Sequence, residues 1–164
     1  MSNQLNAVDS CVFLSKLKIQ KHASHCDKFL KDSKMGYTGA VCPIVVAEVF
    51  KELREETTNV PERFPDLIKE FQEDLIHFIF IPITHDVIKI YNEMTDDIRG
   101  LDTHDKLIIA SAIAHNCDGL VVTPENKEMI NQKESIKRLS RRIRERSLNV
   151  ITPIDHSIFG KKYY

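Results

Sequence analysis

Residues 103–123 read THDKLIIASAIAHNCDGLVVT, a stretch in which a helical pattern changes to a strand pattern within a few residues. Residues 103–115 place aliphatic and small side chains on one face of a helix, and we predict a helix with a small-residue face there. Residues 119–123 form a short aliphatic and β-branched run after a turn, which is typical of a strand. A helix that leads directly into a strand is characteristic of α/β proteins.

The same alternation of helical and strand patterns continues on both sides of this stretch. Strands are predicted from short apolar runs at 5–14, 78–83 and 148–152. Helices are predicted at 17–34, 43–56, 64–75, 85–97 and 127–146. Because strands separated by helices favour parallel pairing with right-handed crossovers, we expect an α/β fold with a central, mostly parallel sheet.

Size and composition are those of one ordinary globular domain. The chain has 164 residues, 42% of them hydrophobic, and its 23 Lys and Arg residues nearly balance its 24 Asp and Glu residues. This balance excludes an acidic disordered protein and a uniformly basic protein that coats nucleic acid. We predict a single domain over residues 1–155 and a C-terminal tail over 156–164, with the loop at 55–65 separating helices and not domains.

The sequence lacks the features of exported and membrane proteins. No apolar run approaches the ~20 residues that span a bilayer, and the first residues lack the charged and apolar regions of a signal peptide. The four cysteines are scattered and include no C-x-x-C pair, as expected of reduced thiols. We therefore expect a cytoplasmic protein that does not associate with membranes.

Four acidic residues follow predicted strands or lie at helix starts, near the edge of an open parallel sheet where ligands bind. They are Asp9, Glu48, Asp105 and Glu125. Asp9 and Glu48 lie in apolar stretches, where a charge needs a cation or a hydrogen-bond donor. Hard carboxylate oxygens suit Mg²⁺ or Mn²⁺, and a divalent cation stabilises clustered carboxylates. Together, the four acids indicate metal-assisted hydrolysis of a phosphate ester.

Each of these acids also has a purely structural interpretation. Asp9 could cap the first helix, and Glu48 could face solvent on an amphipathic helix. Asp105 could lie in the first turn of a capped helix, where its charge complements the helix dipole. Glu125 could do the same after a capping Thr123. Taken singly, the four acids therefore leave a structural and a functional role open.

Four stretches of the sequence resemble, in order, the motifs of the PIN domain, a metal-dependent ribonuclease fold that includes the VapC-type toxins of toxin–antitoxin pairs. They are NAVDSCVFL at 6–14, CPIVVAEV at 42–49, LDTHDKLIIASA at 101–112 and GLVVTPE at 119–125. The family usually has a polar residue at the position of Cys11 and an Asp at that of Glu125. The resemblance spans nearly the whole chain and implies a three-layer α/β/α fold.

The resemblance also implies an activity and a role for each acid. A PIN-like protein would be an Mg²⁺- or Mn²⁺-dependent endoribonuclease, either a toxin or an RNA-processing enzyme, that leaves a 5′-phosphate and a 3′-hydroxyl. Asp9 and Asp105 would bind the principal metal. Glu48 and Glu125 would complete the acidic pocket, directly or through water.

Two polar neighbours are expected to support this pocket. Ser10 would orient Asp9 or a ligand water, and Asn126 would offer a neutral oxygen ligand. The partners that the resemblance implies are an RNA substrate, an antitoxin protein and a second copy of the chain in a homodimer. The alternative is a PIN-like scaffold that binds RNA or protein without catalysis.

Residues 132–148 form a basic segment that holds seven Lys and Arg residues against two Glu residues. Such a segment suits the phosphates of RNA, which supply most of the sequence-independent affinity. The residues predicted to bind substrate are Lys137, Arg138, Arg141, Arg142 and Arg144. The alternatives are a solvated helix face and a site for an acidic partner such as an antitoxin.

Overall fold

The computed structural model describes residues 4–33, 36–94 and 98–155. The described strands are β1 (Leu5–Val8), β2 (Thr38–Val41), β3 (Phe78–Phe80), β4 (Gly119–Val121) and β5 (Asn149–Ile151). The described α-helices are α1 (Ser10–Leu17), α2 (Ala23–Asp32), α3 (Pro43–Glu56), α4 (Phe64–Leu75), α5 (His85–Met94), α6 (Thr103–Ala114), α7 (Lys127–Asn131) and α8 (Lys133–Arg144). The predicted tail at 156–164 lies outside the described residues, as do the predicted helix ends at 34 and 95–97.

The five strands form one sheet in the order β3-β2-β1-β4-β5, and every neighbouring pair is parallel. β1 lies at the centre, where Ala7 is opposite both Ala40 of β2 and Leu120 of β4. Because all strands run the same way, their C-terminal ends meet at one edge of the sheet, here called the carboxyl edge. The opposite edge is the amino edge.

The helices lie in two layers that enclose the sheet. α1 contacts α2, α3 and α4, whereas α6 contacts α5 and α8. In the first layer the ring of Phe13 packs against Phe71 and Phe78, with ring centroids 5.1 and 5.6 Å apart. In the second layer α6 is buried over Ile108–Ile113, as its small-residue face predicts. The three-layer α/β/α fold with a parallel central sheet is therefore confirmed.

The prediction of a strand within residues 5–14 is wrong beyond Val8, because the chain starts a helix at Ser10. Asp9 has an extended backbone and its side chain accepts a hydrogen bond from the backbone N–H of Cys11, as an N-cap residue does. Of the apolar residues after Asp9, Val12, Phe13 and Leu17 are buried in α1, whereas Cys11 and Leu14 are partly exposed. A short apolar run cannot by itself distinguish a buried strand from a buried helix.

Three other differences have local causes. The predicted helix at 17–34 begins only at Ala23, because α1 occupies the chain to Leu17 and Ile19 has a positive φ of 52°. The predicted helix at 127–146 is two helices, α7 and α8, and Glu145 ends the second with a φ of 57°. The sequence did not predict β2, in which Gly39 leaves room for the Phe78 ring.

None of the helices in the described part of the chain combines the length and the apolar character that crossing a bilayer requires.

Candidate acidic site at the carboxyl edge

Asp9 stands directly after the central strand and is almost completely buried, with 3% of its surface exposed. Its backbone N–H donates to the carbonyl of Val121 at 3.0 Å, which extends the pairing of β1 with β4 by one residue. Its carboxylate Oδ2 accepts from the backbone N–H of Cys11 at 3.1 Å. Burial raises the pKa of the Asp9 carboxyl above its usual value, and the hydrogen bonds oppose that change.

Two side chains from other parts of the sequence also hold Asp9. The Cys11 thiol donates to the carboxylate, while its Sγ accepts from the backbone N–H of Thr123 at 3.2 Å. The side-chain amide of Asn126 donates to Asp9, and its Oδ1 accepts from the backbone N–H of Met129 at 3.2 Å as the cap of α7. The structure thus uses Asn126 as a donor to Asp9. Its predicted role as an oxygen ligand stays a prediction.

Glu48 reaches the same region from α3 and is held by two neighbours. His104 at the start of α6 contacts it, with 2.9 Å between Nδ1 and Oε1, and the Ser10 hydroxyl donates to the same carboxylate. Burial raises the pKa of the Glu48 carboxyl, and the charge of Asp9 raises it further. Ser10 therefore contacts Glu48 in the structure, and its predicted role of orienting Asp9 or a ligand water stays a prediction.

Asp105 lies in the first turn of α6, among the other acids of this edge. Its backbone N–H donates to the Asp102 carboxylate at 2.8 Å, so Asp102 is the cap that starts the helix. Burial, followed by the charges of Asp9, Asp102, Glu48 and Glu128, raises the pKa of Asp105 to about 7. A carboxyl surrounded by like charges in this way favours a proton or a cation as its partner.

The structure places Glu125 apart from these acids. Its side chain is 55% exposed, and its Oε1 lies 2.9 Å from Nε2 of His22, the residue that precedes α2. The turn at 124–125 and the cap at Asn126 delay the helix until Lys127, so Glu125 precedes the helix. Glu128, in the first turn of α7, is the acid from this segment whose charge acts on Asp105.

Sequence reasoning missed two residues close to this site, Glu128 and His104. The predicted start of the helix at 127, after Asn126 as a strong cap, was the signal that Glu128 lies in its first turn. The side chain of His104 is 55% exposed, and its ring contacts Glu48. Its position next to Asp105 was the signal that it could reach the site.

The chemistry of the donor set fits a divalent cation. Asp9, Glu48 and Asp105 offer hard oxygens, the ligands that Mg²⁺ and Mn²⁺ prefer, and the pKa of Asp105 records their mutual repulsion. In the conformation of the structure, no three His, Cys, Asp or Glu side chains among the described residues converge closely enough to hold a metal ion.

The basic segment lies mainly on α8, which starts near the carboxyl edge and leaves it. α8 follows α7, whose cap Asn126 contacts Asp9, and it leads to β5, which is parallel to β4. The helix must therefore return the chain to the amino edge. Its last residue lies about 16 Å along the helix axis from its first residue. Arg144 at its end pairs with Asp86, and Arg146 with Asp118.

Solved structures similar to this chain include three that match nearly its whole length. One is VapBC2 from Rickettsia felis bound to a DNA fragment from their promoter, at 18% identity and a TM-score of 0.63, covering 90% of this chain and 98% of that one. FitAcB from Neisseria gonorrhoeae has 16% identity, a TM-score of 0.56 and coverages of 91% and 98%. DNA-bound VapBC from Salmonella typhimurium has 12% identity and a TM-score of 0.57, and the match covers 92% of this chain and 98% of that one.

No protein-family model and no curated protein sequence matches the chain. At identities of 12–18% the structural likeness establishes the fold, and it extends over nearly the whole chain, as the sequence motifs do. The chain therefore has the three-layer α/β/α fold of the matched chains in these VapBC and FitAcB structures, in agreement with the fold that its PIN-like motifs predict.

Proposed function

We propose that this protein is a divalent-cation-dependent endoribonuclease whose acidic site contains Asp9, Glu48 and Asp105. The observation that carries the proposal is that Asp9 at the end of β1, Glu48 on α3 and Asp105 at the start of α6 lie close enough for the charges of the first two to raise the pKa of the third. Three distant parts of the sequence bring acids together despite their repulsion. Groups with perturbed pKa values at the ligand-binding edge of an α/β sheet are typical of functional sites.

The residues of the chain would position both the cation and the RNA. Mg²⁺ or Mn²⁺ held by these carboxylates would lower the pKa of an attacking water and neutralise charge on the phosphate. Cys11 and Asn126 hold Asp9, and Ser10 and His104 hold Glu48. Because these contacts restrict the carboxylates beforehand, binding costs less side-chain entropy.

A toxin role within a toxin–antitoxin pair is the biological context that we propose, ahead of RNA processing. The similar structures include VapBC complexes, which supports an antitoxin as partner. An apolar groove of about 340 Å³ on α3 and β3 offers a surface for a protein partner, either an antitoxin or a second copy of the chain. Its lining residues are Pro43, Val46, Ala47, Phe50 and Phe80.

Cleavage of end-labelled RNA in Mn²⁺, Mg²⁺ or EDTA tests the proposed function directly. We expect products with a 5′-phosphate in either metal and no products in EDTA, because the carboxylates act through the cation. Equal cleavage in EDTA would identify a contaminating nuclease. RNA binding without cleavage in any metal would contradict the enzyme and favour the scaffold that binds RNA without catalysis.

Glu128, rather than Glu125, is expected to be the fourth acid that supports the cation. Glu128→Gln should weaken Mn²⁺ binding about 10-fold, the lower limit expected for groups that support metal ligands, whereas Glu125→Gln should change it less than about 2-fold. Isothermal titration with Mn²⁺ measures both values on identically purified proteins. The two variants remove the same charge three residues apart, so each is the control of the other. A larger loss of Mn²⁺ affinity in Glu125→Gln than in Glu128→Gln would support Glu125 as the fourth acid, as predicted from the sequence.

A further inference from the structure

His22 lies at the start of α2, and its side chain reaches the residues that join β4 to α7, here called the β4–α7 connection (residues 122–126). The side chain is only 14% exposed, and among the described residues it makes no cap hydrogen bond to α2. Its Nε2 lies 2.9 Å from Oε1 of Glu125, which comes from a distant part of the sequence. Burial raises the pKa of the Cys26 thiol on α2, and the charge of Glu125 raises it further. Two observations therefore place Glu125 against the start of α2.

The β4–α7 connection leads from Glu125 directly to Asn126, which contacts the acidic site. The Asn126 amide donates to the Asp9 carboxylate, and its Oδ1 accepts from the backbone N–H of Met129 at 3.2 Å. The Asn126 backbone N–H donates to the carbonyl of Thr123 at 3.0 Å, which closes the turn. Both ends of the Asn126 side chain are thus in use, so its contact with Asp9 depends on where the connection places its backbone.

Two contacts tie this connection to the helices that follow β1. Near its start the backbone N–H of Thr123 donates to Sγ of Cys11 at 3.2 Å, and near its end Glu125 contacts His22. Thr123 is buried, whereas the Glu125 side chain is 55% exposed. An exposed Glu side chain has many accessible rotamers, and the contact with the largely buried His22 restricts this one. The end of the connection that carries Asn126 is therefore held from the start of α2.

We propose that His22 is a positioning residue of the acidic site, which acts through Glu125 on Asn126 and so on the Asp9 carboxylate, a proposal that rests on the proposed function. The route runs from Nε2 of His22 to Oε1 of Glu125, along one peptide unit to Asn126, and from its amide to Asp9. Groups that orient metal ligands raise metal affinity, because ligands that are already fixed lose less freedom on binding. Loss of His22 should therefore weaken cation binding although every acid of the site remains.

The side-chain amide of Asn126 reports this effect without any metal. In EDTA, an NMR spectrum of isotope-labelled protein resolves the side-chain amides, and the signals of Asn126 are identified by their loss in Asn126→Ser. A charge-assisted hydrogen bond to Asp9 distinguishes these signals from those of exposed amides. We expect His22→Ala to move them toward the exposed amides. His22→Gln should leave them in place, because the glutamine Nε2 can donate to Glu125 as the histidine Nε2 does.

Isothermal titration with Mn²⁺ measures the consequence for the site. His22→Ala and Glu125→Ala should each weaken Mn²⁺ binding about 5-fold, close to the effect of one net hydrogen bond. Because both variants break the same contact, the double variant should also be about 5-fold weaker, whereas independent effects would give roughly 25-fold. His22→Gln should bind Mn²⁺ like the wild type. Glu125→Gln keeps an acceptor oxygen for His22, so we expect it to differ from Glu125→Ala.

The matched control is His25→Ala, which removes the same kind of side chain from α2 three residues further on. His25 is exposed, and its ring meets the His22 ring edge to face, with centroids 6.0 Å apart. We expect His25→Ala to keep the Asn126 signals and the Mn²⁺ affinity of the wild type. Equal losses in His22→Ala and His25→Ala would overturn the proposal, as would additive losses in the double variant or a failure of His22→Gln to rescue. If His22→Ala does not fold, Glu125→Ala decides, because it must move the Asn126 signals in the same way.

This experiment fails separately from the proposed function. If the Asn126 signals follow His22 as expected but no metal supports RNA cleavage by the wild type, the positioning role stands without the nuclease. If the wild type cleaves RNA in Mn²⁺ while His22→Ala keeps the wild-type Asn126 signals and Mn²⁺ affinity, the nuclease stands and the role of His22 is wrong.

Discussion

Asp9→Asn should reduce Mn²⁺-dependent RNA cleavage by at least about 100-fold. Loss of a residue that only supports a metal ligand costs up to about 100-fold, and loss of a ligand itself should cost at least as much. Asparagine retains a side-chain oxygen that can accept from the Cys11 N–H, so the cap of α1 is preserved. It removes the one buried negative charge at the end of the central strand. The expected loss is therefore in cation binding and catalysis, and not in folding.

Asp66→Asn is the matched control for this variant, because Asp66 is exposed in the first turn of α4, far along the chain from the acids of the site. Initial cleavage rates in Mn²⁺ and melting temperatures in EDTA should be measured together on all three proteins. We expect Asp66→Asn to cleave like the wild type. If Asp9→Asn folds normally and cleaves within about 3-fold of the wild type, Asp9 is not a metal ligand, because loss of even a residue that supports a ligand reduces activity by more than this.

Asp105→Asn should stabilise the metal-free protein near neutral pH. A carboxyl whose pKa rises from 3.8 to about 7 on folding opposes folding once it is ionised. The full change corresponds to about 4 kcal/mol, which we reduce to about 2 kcal/mol because Asp105 is only partly buried. For a domain of this size, the expected rise in melting temperature is about 4 to 8 °C.

The pH dependence of this effect has a definite sign. Below pH about 4 the Asp105 carboxyl is protonated in both the folded and the unfolded chain, so its effect on stability vanishes. As the pH rises from about 4 to 7, the unfolded chain loses the proton first, and the metal-free wild type becomes less stable relative to Asp105→Asn. Cation binding requires the ionised carboxylate, so stabilisation by Mn²⁺ should increase over the same range.

Thermal melts in EDTA and in Mn²⁺ between pH about 4 and 8 measure both trends. Glu125→Gln, which removes a charge from the neighbouring segment, should leave the wild-type pH dependence in place. A metal-free wild type and an Asp105→Asn protein with parallel stability curves over this range would show that the acids do not act on Asp105 as the structure indicates.

The positions of three site acids could be predicted because each follows from a short-range signal. Asp9 ends an apolar strand, Glu48 lies in an apolar helix that starts with Pro43, and Asp105 lies in the first turn of a helix. Parallel pairing then brings strand ends and helix starts to one edge. The same rule does not separate Glu125 from Glu128, because the turn before Asn126 places Glu128, and not Glu125, in the first turn of α7. The predicted role of Glu125 stays a prediction.

Contacts between distant parts of the sequence were harder to predict. β2 is only four residues long and contains Gly39, and glycine disfavours strands. Gly39 is needed there because the Phe78 ring occupies the position of a Cβ. The direction of α8 relative to the acidic site depends on the parallel pairing of β4 with β5. The excess of positive charge was visible in the sequence, but not which arginines were held by Asp86 and Asp118.

The central position of β1 has a consequence for the order of events during synthesis. Asn6 pairs with Gly39 on one side and with Gly119 on the other. The strand that precedes Asp9 therefore cannot pair with β4 until more than a hundred further residues have been synthesised. At about 5–20 residues per second, that delay is roughly 6 to 23 s. Once residue 48 has been added, the growing chain contains both Asp9 and Glu48, but it still lacks the β4 edge that helps to hold Asp9. The acidic site is therefore assembled only after most of the domain has been translated.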